Sequence, residues 1–115
     1  LLVLSKVLNV KGNNKWYKKS INILTKYIDI IHDDGISKEN SFSYQFFVTK
    51  MYILALCFVQ DEKIFRYISY KVRKSLQSLN YIIKPNEKIP NYGDNDNAFL
   101  YSIKSGVSNW NIPSL

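Results

Sequence analysis

The chain has one cysteine and one histidine in 115 residues, and that scarcity excludes a good deal of chemistry. Cys57 has no partner for an intrachain disulfide. Lying in the most apolar stretch, it reads as a small hydrophobe filling the core. With His32 and Cys57 far apart, neither a zinc site nor a Cys–His nucleophile pair can be assembled within the chain, so no metal and no cofactor is expected. His32 itself reads as a helix C-terminal residue favoured by the dipole. There are only four glycines, none arranged as a phosphate-binding loop, and there is no N-x-[ST] sequon. The longest apolar run, Met51 to Val59, is bracketed by Lys50 and Gln60 and falls far short of the roughly 20 residues that cross a bilayer. No transmembrane segment is expected. Leu1 to Leu4 is too short for a secretory h-region and has no basic segment before it, so localisation cannot be read from these residues.

What is present is an ordinary globular composition, 46% hydrophobic and 22% charged, with an unusually high 15% of aromatics that includes nine tyrosines. Its length bounds the answer at one domain or less. The absence of an initiator Met and of a terminal capping element suggests a piece of something longer. The net charge of +7 makes a polyanion the natural partner class: nucleic acid, anionic lipid or an acidic polysaccharide. The lysines are distributed over several segments, which solvated helix faces explain.

The periodicity is helical throughout. Leu1 to Val10 reads as the end of a helix closed by the turn at Lys11-Gly12-Asn13. From Lys15 to Asp33 the apolar positions Trp16/Tyr17, Ile21, Leu24, Tyr27/Ile28 and Ile31 recur at three-and-four spacing with lysines between, an amphipathic helix capped by Asn13 or Asn14 and ended by Asp33-Asp34-Gly35. Asn40 or Ser41 then caps a segment running to about Val59. It is apolar nearly all round and is therefore expected to be buried on all sides. Asp61 caps the next helix, Glu62 to Ile83, with an inward stripe of Ile64/Phe65, Ile68, Val72, Leu76 and Leu79 and an outer face of Lys63, Arg66, Lys71, Arg73 and Lys74. Residues 84–97 form a long polar loop of the length that usually carries function, and Phe99 to Lys104 begins another helix. The fold class is thus all-α, one helical unit over 1–115, with antiparallel hairpins expected from the short connections. A buried helix between exposed ones calls for further layers, as in an α/α toroid; a free-standing four-helix bundle is the alternative.

Two stretches stand out: Asp33-Asp34-Gly35-Ile36-Ser37-Lys38-Glu39-Asn40-Ser41-Phe42-Ser43-Tyr44-Gln45, and Ile89-Pro90-Asn91-Tyr92-Gly93-Asp94-Asn95-Asp96-Asn97. The first resembles the pattern D-G-x(3)-E-x-S-x-x-Y-H, the second a P-x-x-G-D-x-D loop. In that order and separation they resemble the helical domain of the heparinase II/III-like (alginate-lyase-like) polysaccharide lyases. The resemblance covers residues 1 to about 104.

That resemblance implies β-elimination on uronic-acid-containing polysaccharides. In such enzymes a carboxamide neutralises the sugar carboxylate, a base removes the adjacent ring proton, and a tyrosine protonates the leaving glycosidic oxygen. Tyr44 matches that tyrosine. A phenol, with an ordinary pKa of about 10, serves as acid or base only where neighbours tune it, and a basic groove would do so while attracting the acidic chain. Glu39, Ser41, Gln45, Asp94 and Asp96 occupy the remaining matched positions and are expected at the substrate; Ser41 also suits a helix cap. A calcium loop at Asp94 and Asp96 fails, since the EF-hand pattern would need Gly where Phe99 stands and Glu where Ser105 stands. The resemblance further implies a β-rich domain and the remainder of a toroid elsewhere, and a periplasmic or secreted location.

One departure matters. Gln45 stands where the family has His, and the family's substrate-neutralising Asn, with its following His, would lie before Leu1. The fragment alone is therefore expected to be inactive. Three readings compete: a lyase; a non-catalytic relative that binds acidic glycan or serves capsule or exopolysaccharide assembly; and a small basic nucleic-acid-binding module. The last is disfavoured, because such a module would concentrate its lysines on a recognition helix. An Asn-His pair upstream would separate the first reading from the second.

Overall fold

The structure, a computed structural model, describes residues 1–7, 13–86, 90, 92 and 93. These fold as α1 (Leu2–Val7), α2 (Asn13–Tyr27), a short 3-10 turn (Ile28–Ile30), α3 (Phe42–Leu56) and α4 (Glu62–Ile82). Among the described residues there is no strand, only an isolated antiparallel bridge between Ile31 and Ser37. The all-α expectation holds. The helix expected over 99–104, and most of the polar loop over 84–97, lie outside the described residues.

Local chemistry sets the boundaries. Ser41 caps α3, its hydroxyl accepting from the Tyr44 N–H at 3.4 Å, and Asp61 caps α4, its carboxylate accepting from the Ile64 N–H at 3.0 Å. These caps satisfy amides that the first helical turn leaves without partners. The amphipathic helix expected to reach Asp33 instead ends at Tyr27 and tightens into the 3-10 turn. The chain then reverses: the Gly35 N–H donates to the His32 carbonyl and the His32 N–H to the Ile36 carbonyl. Gly35 sits in this reversal at φ +89°, a conformation open to glycine and costly for other residues. His32 is thus an exposed turn residue beyond the helix end.

The register of α3 on α4 follows from their contacts. Gln45 meets Ser78, Thr49 meets Ser75, and Tyr52 packs in one cluster with Ile68 and Val72. Rising numbers on one helix meet falling numbers on the other, so the pair is antiparallel. The main core joins Ile28, Ile31, Tyr52, Ile68 and Val72. A second cluster, Leu2, Ile21 and Ala55, ties α1 and α2 to α3. Each fully buried aliphatic side chain contributes about 1.5–3 kcal/mol.

Three expectations are corrected. α3 is not buried on all sides: Met51 is 43% exposed, and the buried line is Gln45, Phe46, Thr49, Tyr52 and Ala55. Cys57 is not core filler but lies exposed at the C-cap of α3. On α4, Lys71 lies inward rather than on the outer face, Ser75 is fully buried, and Phe65 is exposed. For Lys71 and Ser75 the reason is the reversal at Gly35, which places polar backbone against this end of the helix pair, where polar side chains are needed to meet it.

Candidate functional site

The two stretches singled out in the sequence meet in space. The first forms the reversal and the first turn of α3. The second reaches it through Tyr92 and Gly93: the Phe42 N–H donates to the Tyr92 carbonyl at 3.4 Å, and the two rings lie 5.5 Å apart, tilted by 39°. Gly93, at φ +77°, lies so close to the backbone of Asn40 and Ser41 that an added Cβ would overlap both. Asn40 itself adopts φ +49°, a left-handed conformation that asparagine tolerates better than most residues. The junction is therefore built from backbone-to-backbone approach, which no side-chain pattern announces.

Beneath it lies a closed hydrogen-bond circuit centred on Gln45. Its Nε2 donates to the Gly35 carbonyl at 2.9 Å and to the Ser78 hydroxyl at 2.8 Å, with the Ser75 hydroxyl at 3.2 Å. Its Oε1 accepts from the Ser37 N–H at 3.4 Å. Thr49 donates its one hydroxyl proton to the Gln45 carbonyl at 2.7 Å, so in the 2.7 Å contact between Thr49 and Ser75 it is Ser75 that donates. Ser78 in turn donates to the Gly35 carbonyl at 2.9 Å. Among the described residues no buried side-chain nitrogen or oxygen lacks a partner, the condition under which a buried polar network rigidifies a fold.

A second tie holds the reversal's outer edge. Lys71, 5% exposed, donates to the Ile31 carbonyl at 3.0 Å and to Asp33 at 2.8 Å, with Asp29 at 3.4 Å. Tyr67 donates to Asp29 at 2.7 Å. The hydrogen bond to Asp33 raises the Lys71 pKa, and Lys71 holds the Asp33 carboxyl below its ordinary value. Asp29 is lowered chiefly by the Tyr67 hydroxyl, and Tyr67 is raised in return. Deeper in the core, burial pushes the Tyr52 phenol up to about 12, and its hydroxyl donates to the Leu24 carbonyl at 3.2 Å.

The expected site residues divide. Tyr44 is half-buried in the first turn of α3, beside the junction with Tyr92. Glu39 is exposed in the preceding turn, its N–H held by the Ser37 hydroxyl at 3.3 Å. Ser41 is buried as the cap, and Gln45 is 2% exposed with its amide engaged inside the protein. Both are turned into the protein rather than presented at its surface, where a substrate contact was expected. Asp94 and Asp96 lie outside the described residues. Sequence reading missed Thr49, Ser75 and Ser78 as holders of Gln45, and Lys71 as a tie. The available signal was spacing, since Ile68, Lys71, Ser75 and Leu79 share the inward side of α4. Among the described residues no group of His, Cys, Asp and Glu is arranged to hold a metal ion, and no helix is long and apolar enough to cross a membrane.

Comparison with protein-family models, with curated proteins and with solved structures yields no match.

Proposed function

We propose that this chain is part of a polysaccharide lyase-like protein that acts by β-elimination on uronic-acid-containing polysaccharides, with the α3–α4 hairpin as one repeat of an α/α toroid. The observation that carries the reading is the junction at the start of α3. Two motif stretches some fifty positions apart in the sequence meet there, beside Tyr44, through Phe42, Tyr92 and Gly93. In the reaction a base takes the ring proton next to the uronate carboxylate. The electron pair left behind forms the new ring double bond, and the glycosidic C–O bond breaks with its pair moving to the leaving oxygen. Tyr44 gives its phenolic proton to that oxygen, a role for a positioned general acid. The base, and the carboxamide that would neutralise the uronate, are assigned to no residue described here.

One observation favours a second reading, a non-catalytic relative that binds acidic glycan or serves capsule or exopolysaccharide assembly. Gln45 stands where the resembled family has histidine, and its amide is committed to Gly35, Ser75 and Ser78. It has no proton chemistry to offer a substrate. The deciding experiment incubates the protein carrying this chain with a panel of uronic-acid polysaccharides and follows the near-ultraviolet absorbance of unsaturated products, with Tyr44→Phe as comparison. Product that disappears in the variant supports elimination. Binding without product from any substrate supports the second reading.

A further inference from the structure

The solvent face of α4 has no part in the Tyr44 junction, and its composition is distinctive. Glu62 is the only acidic residue in the helix, against five basic ones. With Lys71 turned inward, the remaining four, Lys63, Arg66, Arg73 and Lys74, fall with Tyr70 and Tyr81 at spacings that share one side of a helix. Arg66 pairs with Glu62 in an exposed i, i+4 contact, worth little in water. Among the described residues no carboxylate pairs with Lys63, Arg73 or Lys74. Tyr70 is 48% and Tyr81 89% exposed, and the Lys74 ammonium lies over the Tyr70 ring, 5.9 Å from its centroid. A partner that offers both negative charge and an apolar ring face would engage both kinds of side chain at once.

We propose that this face docks a linear acidic polysaccharide outside the Tyr44 site, the cations taking sugar carboxylates and the two tyrosines stacking on sugar rings. The inference rests on the acidic-glycan reading above and adds a second contact surface to it. A polyuronate carries one carboxylate per ring, which suits cations spread along the helix. Arginine adds the planar fork that matches a carboxylate. Single-stranded nucleic acid carries its charge on phosphates and its rings on bases, and the test below distinguishes it from a polyuronate.

The test measures binding of the protein to polygalacturonate, to neutral dextran and to an oligo-dT strand, using variants at exposed positions checked for native helix content. Lys63→Glu with Arg73→Glu is expected to weaken polygalacturonate binding on the order of tenfold. The equally charged reversal Lys15→Glu with Lys19→Glu on α2 is expected to leave it within about twofold. Tyr70→Ala with Tyr81→Ala is expected to weaken it severalfold at salt high enough to screen the charges, with dextran unbound throughout. Equal losses from the α2 and α4 reversals would overturn the proposal in favour of bulk charge. Oligo-dT bound more tightly than polygalacturonate, and lost in the α4 variants, would overturn it in favour of nucleic acid. Tyr44→Phe separates the two readings: product lost with docking intact leaves both standing, whereas docking without product in any variant sinks elimination alone.

Discussion

The two ends of the α3–α4 pair are joined by different physics. At one end Tyr52, Ile68, Val72 and their neighbours exclude water as any aliphatic core does. At the other, Gln45, Thr49, Ser75 and Ser78 meet in a hydrogen-bond circuit that reaches across to the backbone of Gly35. The apolar end is non-directional and tolerates volume-conserving exchange. The polar end is directional, and a single wrong partner leaves a buried group unpaired. It is the polar end that carries the reversal, the start of α3 and the junction beside Tyr44. The lesson is that the helix pair draws its energy from one end and the placement of the candidate site from the other.

The largest test of this contrast is Gly35→Ala. A Cβ there would overlap the Lys74 carbonyl, at a φ that alanine rarely adopts, so we expect a loss of about 4 kcal/mol in chemical denaturation. A loss below about 1 kcal/mol would mean that the reversal is not seated on α4. At the apolar end, Ile68→Ala opens a cavity beneath a side chain with no exposure and is expected to cost about 3 kcal/mol. The companion Ile68→Val should cost about 1 kcal/mol, and the ratio between them reports how well the core relaxes.

Gln45→Leu keeps the volume but removes one of the two donors to the Gly35 carbonyl, the donor to Ser78 and the acceptor of the Ser37 N–H. We expect a loss of about 2 kcal/mol together with faster amide exchange over residues 31–41, an effect that Ile68→Ala should not match.

Lys71→Met leaves the Ile31 carbonyl without its donor, an expected loss of about 1–2 kcal/mol. Its pH signature is the sharper readout. The folded Asp33 and Asp29 carboxyls lie below their ordinary 3.8, so the stability they lend is complete above that value and is lost as pH falls through their folded values. Lys71, raised above 10.5, lends stability that is complete below that value and is lost as pH rises through its folded value. The variant should therefore show a shallower decline in melting temperature on both sides, and an unchanged acid slope would remove Lys71 as the source. Smallest of all, Tyr81→Ser at the exposed end of α4 should change stability by no more than about 0.5 kcal/mol.

Much of the fold is legible in the residues taken in order. Ser41 and Asp61 are caps because short polar side chains satisfy the first amides of a helix wherever they stand, and the three-and-four spacing of Ile21, Leu24 and Ile28 marks an amphipathic segment without knowledge of its neighbours. These are local rules, so their outcome can be read before any contact is known: an all-α fold, the starts of α3 and α4, and the prominence of the two motif stretches. Packing between the helices set the rest: which face of α3 turns inward, that Lys71 and Ser75 lie inside while Met51 and Cys57 lie outside, and that Gly93 rests on Asn40 and Ser41 while Tyr92 meets Phe42. An apolar helix has no face of its own to prefer. Its orientation is chosen by what the partner offers, here the carbonyl of a glycine that comes close to α4 because it has no side chain.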